Sequence, residues 1–127
     1  MTKSFALGRN YIHLADGGAS AQVLVGPDFW QRIGERRELH EGRLLTFFHL
    51  GPGNVHWERH PAGDEILILL SGATALLVEE DGKQRRVRLK AGEAFIVPRG
   101  LWHAFDVSEP GDLLAITPGE GTEMRTD

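Results

Sequence analysis

The chain contains no cysteine, which removes disulfides, thiolate metal ligands and cysteine nucleophiles together. Any metal must therefore be held by His, Asp or Glu. Long apolar runs are also missing. The longest, Ile66 to Leu70, is far shorter than the roughly 20 residues that span a bilayer, and no N-terminal stretch joins basic residues, an apolar run and a small-residue cleavage site. The expectation is a cytoplasmic protein with no membrane contact. Positive charge is not in excess: 14 Lys and Arg face 18 Asp and Glu, a net charge of -4 with the six histidines neutral, so no nucleic-acid partner is expected. There is no Gly-rich phosphate cradle and no Gly-x-Ser-x-Gly elbow, which leaves nucleotide and serine-hydrolase chemistry without support.

What is present points to many short strands. The 127 residues are 41% apolar and 25% charged, the balance of one globular domain. Sixteen glycines and six prolines punctuate the chain at short intervals. From Arg43 onward the strand signals are dense. Arg43 to Leu50 is aromatic and aliphatic and closes on Gly51-Pro52-Gly53-Asn54; Val55 to His60 and Glu65 to Leu70 follow, the latter ended by Ser71-Gly72. Asp81-Gly82, between Ala73 to Glu80 and Gln84 to Leu89, reads as a two-residue hairpin turn because both positions tolerate positive φ. Ala94 to Val97, Trp102 to Val107 and Leu113 to Ile116 complete the series. Strands at this cadence, with no long helix between them, imply a sandwich or barrel. Before residue 43, Tyr11 to Leu14 and Ala21 to Val25 read as strands pairing at a sheet edge, and Phe29 to Leu39 supports at most a short helix. The polar tail after Pro118 is expected to fray.

Chemistry concentrates in two stretches. In His56-Trp57-Glu58-Arg59-His60 side chains two apart share a strand face, which places His56, Glu58 and His60 together. A turn at Ala62-Gly63 could return Glu65 beside His60. Imidazoles and carboxylates converging from neighbouring strands suit a borderline divalent metal, although the same residues could be a solvated edge strand. The second stretch is Gly92, then Pro98-Arg99-Gly100 after five residues, then His103.

Together these resemble the two motifs of the cupin superfamily. The second stretch matches its second motif. In its first motif, a His-x-His pair precedes Glu by three or four residues and Gly by a further six; here His60, Glu65 and Gly72 keep those intervals. Glu58 stands where the first histidine is usual, with His56 two residues earlier, and Val107 replaces an asparagine that often closes the second motif. The resemblance, over about Gly51 to Val107, implies an all-β double-stranded β-helix (jelly-roll) barrel, with a core over about residues 43–117 and residues 1–42 supplying N-terminal strands and the short helix. Carried over position by position, it implies a divalent metal (Zn, Fe, Mn or Ni) on Glu58, His60, Glu65 and His103, with His56 as an alternative ligand. A carboxylate in place of an imidazole shifts preference toward harder ions. The expected function is action on, or sensing of, a small polar molecule at that metal, an isomerase or oxygenase being the enzymatic options. The alternative is a metal-free small-molecule binding module. Trp57, Trp102, Phe95, Phe105, Phe47 and Phe48 are expected to fill the barrel or line its cavity. His103 is expected at the barrel mouth, with few apolar contacts. A homodimer is expected in which the N-terminal strands, having little core of their own, extend or cover the partner's sheet.

Overall fold

The computed structural model describes residues 3–52 and 56–125. The chain forms β1 (Asn10–Leu14) and β2 (Ser20–Leu24), then α1 (Phe29–Arg32) with two single 3-10 turns (Ile33–Glu35 and Arg37–Leu39). There follow β3 (Arg43–Leu50), β4 (Trp57–Arg59), β5 (Glu65–Leu69), β6 (Ala73–Glu80), β7 (Lys83–Lys90), β8 (Ala94–Val97), β9 (Trp102–Glu109), β10 (Gly111–Pro118) and β11 (Glu123–Arg125). A six-stranded sheet of order β2-β1-β3-β10-β5-β8 faces a five-stranded one of order β11-β4-β9-β6-β7, and every pairing is antiparallel. This is a jelly-roll barrel, the architecture that the strand cadence implies. Gly53, Asn54 and Val55, where a turn and the start of a strand are expected, lie outside the described residues. No helix among the described residues is long and apolar enough to cross a membrane.

Alternation along the strands builds the core. Leu67 and Leu69 of β5, Leu76 and Val78 of β6, Leu89, Val97, Leu113 and Ala115 form one buried cluster between the sheets, with Phe95 and Phe105 packed against it. The β6–β7 hairpin turns at Asp81 (φ 52°) and Gly82 (φ 75°), the paired positive angles that Asp-Gly supplies. Gly72 is required for two reasons. Its φ of 80° is left-handed, and an added Cβ would lie 2.5 Å from Glu109 O and 2.6 Å from Pro110 O, so the glycine that closes the first motif packs against the link between β9 and β10.

Three expectations change. The tail after Pro118 is ordered into a strand over its described residues: β11 pairs with β4 in the register Glu123↔Arg59, Met124↔Glu58, Arg125↔Trp57. Its polar residues give no apolar signal, and its stability comes from ladder bonds and from ion pairs of Arg59 with Glu123 and Arg125 with Glu79. Trp57 and Trp102 do not line the interior. They lie with Leu77 and Ala104 on the outer face of the five-stranded sheet, covered by the Arg125 guanidinium, which stands 4.7 and 4.6 Å from the two rings. Finally, the N-terminal strands have a core of their own, in which Tyr11, Val23, Phe29, Leu39 and Leu44 are buried together. They do pair at a sheet edge, β2 on β1 and β1 on β3 of the same chain.

Candidate metal centre

Glu58 of β4 and His103 of β9 are direct cross-strand partners, so their side chains leave the sheet on the same side. That side is the barrel interior, because Val78, the partner of His103 on β6, is fully buried in the core. His60 lies two residues beyond Glu58 and points the same way. Its carbonyl accepts the Gly100 N–H at 3.0 Å, a bond that ties the first motif to the turn of the second. Glu65 enters from the opposite sheet at the first position of β5. Ligand atoms of Glu58, His60 and His103 all lie within 4.8 Å of one another. The Glu65 carboxylate touches both imidazoles, with Oε1 3.0 Å from His103 Nε2 and Oε2 3.3 Å from His60 Nε2. His60 Nε2 is 3.8 Å from Glu58 Oε2. The four motif residues therefore meet. His56 is exposed, lies just before β4 and is not in the cluster.

The side chains of His60, His103 and Glu65 are 3%, 3% and 6% exposed, against 38% for Glu58. Glu58 is thus the group through which the cluster reaches solvent. His103 is not at an open mouth, contrary to expectation: its ring is closed in between β4, β6 and Glu65.

Each imidazole is held from behind. His103 Nδ1–H donates to the Leu101 carbonyl at 3.0 Å, and His60 Nδ1 bonds with Thr122 Oγ1 at 2.9 Å. Both rings therefore present Nε2 to the cluster. Thr117 donates its hydroxyl to Glu65 Oε2 at 2.6 Å and fixes the carboxylate. Thr117, Thr122 and the Leu101 carbonyl are functional neighbours that sequence reasoning missed. Thr117 carries only the faint signal of a polar residue at an inward position of the last long strand, and Thr122 sits in a tail with no signal.

Electrostatics separates the two carboxylates. Burial alone would raise Glu65, but the hydrogen bond from His103 and the close approach of His60, with the charges of the two rings, outweigh it and hold the carboxyl at about 2. Burial raises Glu58, with the neighbouring Glu65 charge adding to it, against the opposing pull of His60, His103 and His56. Burial would lower His103, yet its bond to Glu65 and that carboxylate's charge, with the Leu101 carbonyl and Glu58, raise it. Without an ion the centre holds a buried His103–Glu65 ion pair, with His60 Nε2 3.3 Å from the same carboxylate.

The donor set fits a metal ion on one observation above all. His60 Nε2 is a buried nitrogen with no hydrogen-bond partner, and it is aimed between two carboxylates. With Nδ1 engaged by Thr122 Oγ1, Nε2 is the ring atom left to face the carboxylates, a place where a cation would bridge the nitrogen and the negative oxygens. Two imidazole nitrogens plus carboxylate oxygens form the donor set of open mononuclear Fe and Mn sites and also suit Zn.

Comparison with known proteins agrees with this fold. The sequence profile of the family described as "Cupin domain" matches residues 46–117, from β3 to the end of β10. The 3-hydroxyanthranilate 3,4-dioxygenase of Bos taurus is 37% identical over 67 residues, which cover 52% of this chain and 23% of the bovine enzyme. The chain thus aligns with under a quarter of that relative's length. Among solved structures, Fe(II)-HppE with an alternative substrate matches with a TM-score of 0.52 at 18% identity, over 59% of this chain and 42% of that one. Oxalate decarboxylase of Bacillus subtilis, a protein with Mn(II) centers, matches with a TM-score of 0.55 at 22% identity, over 66% of this chain and 23% of that one. At such identities the structural likeness carries the fold and no more.

Proposed function

This chain belongs to the cupin domain family, and from that premise we propose that it holds a divalent transition-metal ion inside the barrel and acts on, or senses, a small polar molecule that reaches the ion past Glu58. His60 and His103 would hold the ion through Nε2 and Glu58 through its carboxylate. Glu65 Oε1, which accepts the Nε2 proton of His103 in the absence of an ion, is the fourth donor once that proton is lost. The observation that carries this reading is the unpartnered, buried His60 Nε2 aimed at the cluster. The carboxylates favour Fe(II) or Mn(II) over softer ions. An ion bound there supplies Lewis acidity.

The surrounding residues divide the remaining work. Thr117 and the two histidines keep Glu65 ionised, so it anchors charge and does not exchange protons near neutral pH. Glu58, half exposed and with its carboxyl raised, is suited to give or take a proton at the open side. Val78 and the aliphatic cluster beneath close the opposite side to water. In the same reading the chain works as a homodimer.

One observation favours a second reading. Glu65 and His103 already satisfy each other as an ion pair, so the barrel can close without a metal and serve as a metal-free binding module. Elemental analysis of protein purified without a histidine tag, before and after anaerobic loading with Fe(II) or Mn(II), separates the two. About one equivalent retained supports the metal centre, whereas less than about a tenth of an equivalent, with no uptake on loading, overturns it. Thermal stabilisation by an organic ligand that persists in excess chelator would then identify the module.

A further inference from the structure

The two sides of β11 serve different parts of the molecule. Its register with β4 sets Met124 opposite Glu58 and Glu123 and Arg125 opposite Arg59 and Trp57, and directly opposed residues leave a sheet on the same side. Met124, 64% exposed, therefore stands on the inner side next to Glu58, where the metal centre opens to solvent. Thr122, just before β11, bonds His60 Nδ1 at 2.9 Å. The outer side holds the segment in place. Arg125 donates from both terminal nitrogens to the Glu79 carboxylate of β6, at 3.1 and 2.5 Å, while its guanidinium covers Trp57 and Trp102. Arg59 donates twice to Glu123 and stands 4.8 Å from the Trp102 ring. No described residue after Pro118 belongs to an apolar core cluster, so strand pairing, ion pairs and cation–π contacts carry the attachment. The chain is fixed up to Gly119, whose N–H donates to the Gly42 carbonyl at 3.3 Å and where an added Cβ would lie 2.1 Å from the Leu39 carbonyl oxygen. Gly121, at φ 79°, follows. Residues 120–125 thus form a short strap hinged beside a fixed point.

We propose that Arg125 is a positioning residue for the metal centre: by clamping the strap onto β4 and β6 it keeps Thr122 on His60, so that closure of the strap and binding of the ion favour each other. This rests on the reading of the four motif residues as metal ligands. The contacts are continuous, running from Glu79 and the two tryptophans to Arg125, along the backbone of β11 to Thr122, and from there to His60. Only one ligand depends on the strap. The His103 ring is oriented by the Leu101 carbonyl and Glu65 by Thr117, neither of them on the strap. With the strap away, the His60 backbone stays tied to Gly100, but its ring loses the bond that orients it. Loss of such a partner weakens a metal site about 10- to 100-fold. Linkage makes the effect reciprocal, so an ion that binds the closed form about tenfold more tightly shifts the strap toward closure by the same factor. The ion pairs of Arg125 and Arg59 are both partly exposed and hence modest holds, which leaves the strap's position open to such a shift.

Calorimetric titration of Mn(II) into chelator-stripped full-length protein, with hydrogen–deuterium exchange of residues 120–125 in the presence and absence of Mn(II), tests this. Arg125→Ala should weaken Mn(II) binding about tenfold and, without metal, speed exchange of the strap about tenfold while exchange in β5, β6 and β10 stays the same. In the unsubstituted chain, Mn(II) should slow strap exchange by about tenfold or more. The double variant decides between positioning and bulk stability. If Arg125 acts through Thr122, Arg125→Ala combined with Thr122→Val binds Mn(II) no more weakly than Thr122→Val alone, whereas independent losses would multiply. Arg86→Ala, which breaks the Arg86–Asp106 ion pair elsewhere on the same outer face, should leave Mn(II) affinity unchanged. No uptake of Mn(II) by the unsubstituted chain would overturn the metal reading and this proposal with it. Uptake that Arg125→Ala leaves at full affinity, multiplied losses in the double variant, or strap exchange indifferent to Mn(II) would overturn the proposal alone.

Discussion

Replacing Glu65 by Gln tests the electrostatic core of the site in metal-free protein. Glu65 is buried and its carboxyl is held at about 2, against an ordinary 4.5. Because the folded value is depressed, the associated stability is fully present above about pH 4.5 and is lost as pH falls toward 2. At 1.36 kcal/mol per unit, that displacement corresponds to about 3 kcal/mol. It is shared with His103, whose raised value means that the pair's contribution also declines at alkaline pH, above the ordinary histidine range. Glu65→Gln keeps the shape but removes the charge, and its amide cannot accept from both Thr117 and His103 while also facing His60. The expected cost at pH 6 is about 3 kcal/mol, or about 10 °C in Tm for a chain of this length. The decisive measurement is urea denaturation of chelator-treated protein from pH 6 to pH 3. The unsubstituted chain should lose stability more steeply than the variant below pH 4.5, so that their curves converge. A variant that costs less than about 1 kcal/mol at pH 6, or whose curve runs parallel to the original throughout, would refute the assignment of Glu65 as the ionised anchor.

Other outcomes follow from the same contacts. Thr122→Val removes the hydrogen-bond partner of His60 Nδ1 and should weaken Mn(II) binding about 10- to 100-fold by calorimetry, with Thr122→Ser restoring most of it. His103→Ala should abolish metal retention, and because it leaves the buried Glu65 charge unpaired it should also cost the metal-free fold about 3–5 kcal/mol by denaturant titration. Leu76→Ala, at a fully buried position of β6, should cost about 2–5 kcal/mol in the same assay with metal stoichiometry unchanged. Gly72→Ala should express poorly or melt well below the original, since both its φ and the backbone of Glu109 and Pro110 exclude a Cβ.

Local signals in the sequence were strong wherever a residue's neighbours along the chain decide its conformation. The Asp81-Gly82 turn, the apolar runs of β3, β5 and β6, and the Gly-Pro stops between them depend on φ preferences and strand alternation, and the structure forms strands at those places. The intervals around His60, Glu65, Gly72 and His103 were legible only through their resemblance to the cupin motifs; strand alternation by itself placed His56, Glu58 and His60 on one face and no more. What the chain order could not contain is anything set by a partner far along the chain. The polar tail became β11 because β4 offers a free edge, and only that pairing brings Thr122 against His60 across 62 residues. Thr117 reaches Glu65 across 52 residues in the same way. Trp57 and Trp102 looked like barrel filling because large aromatics usually are. The sheet's pleat turned them outward, and an arginine brought in by β11 covered them.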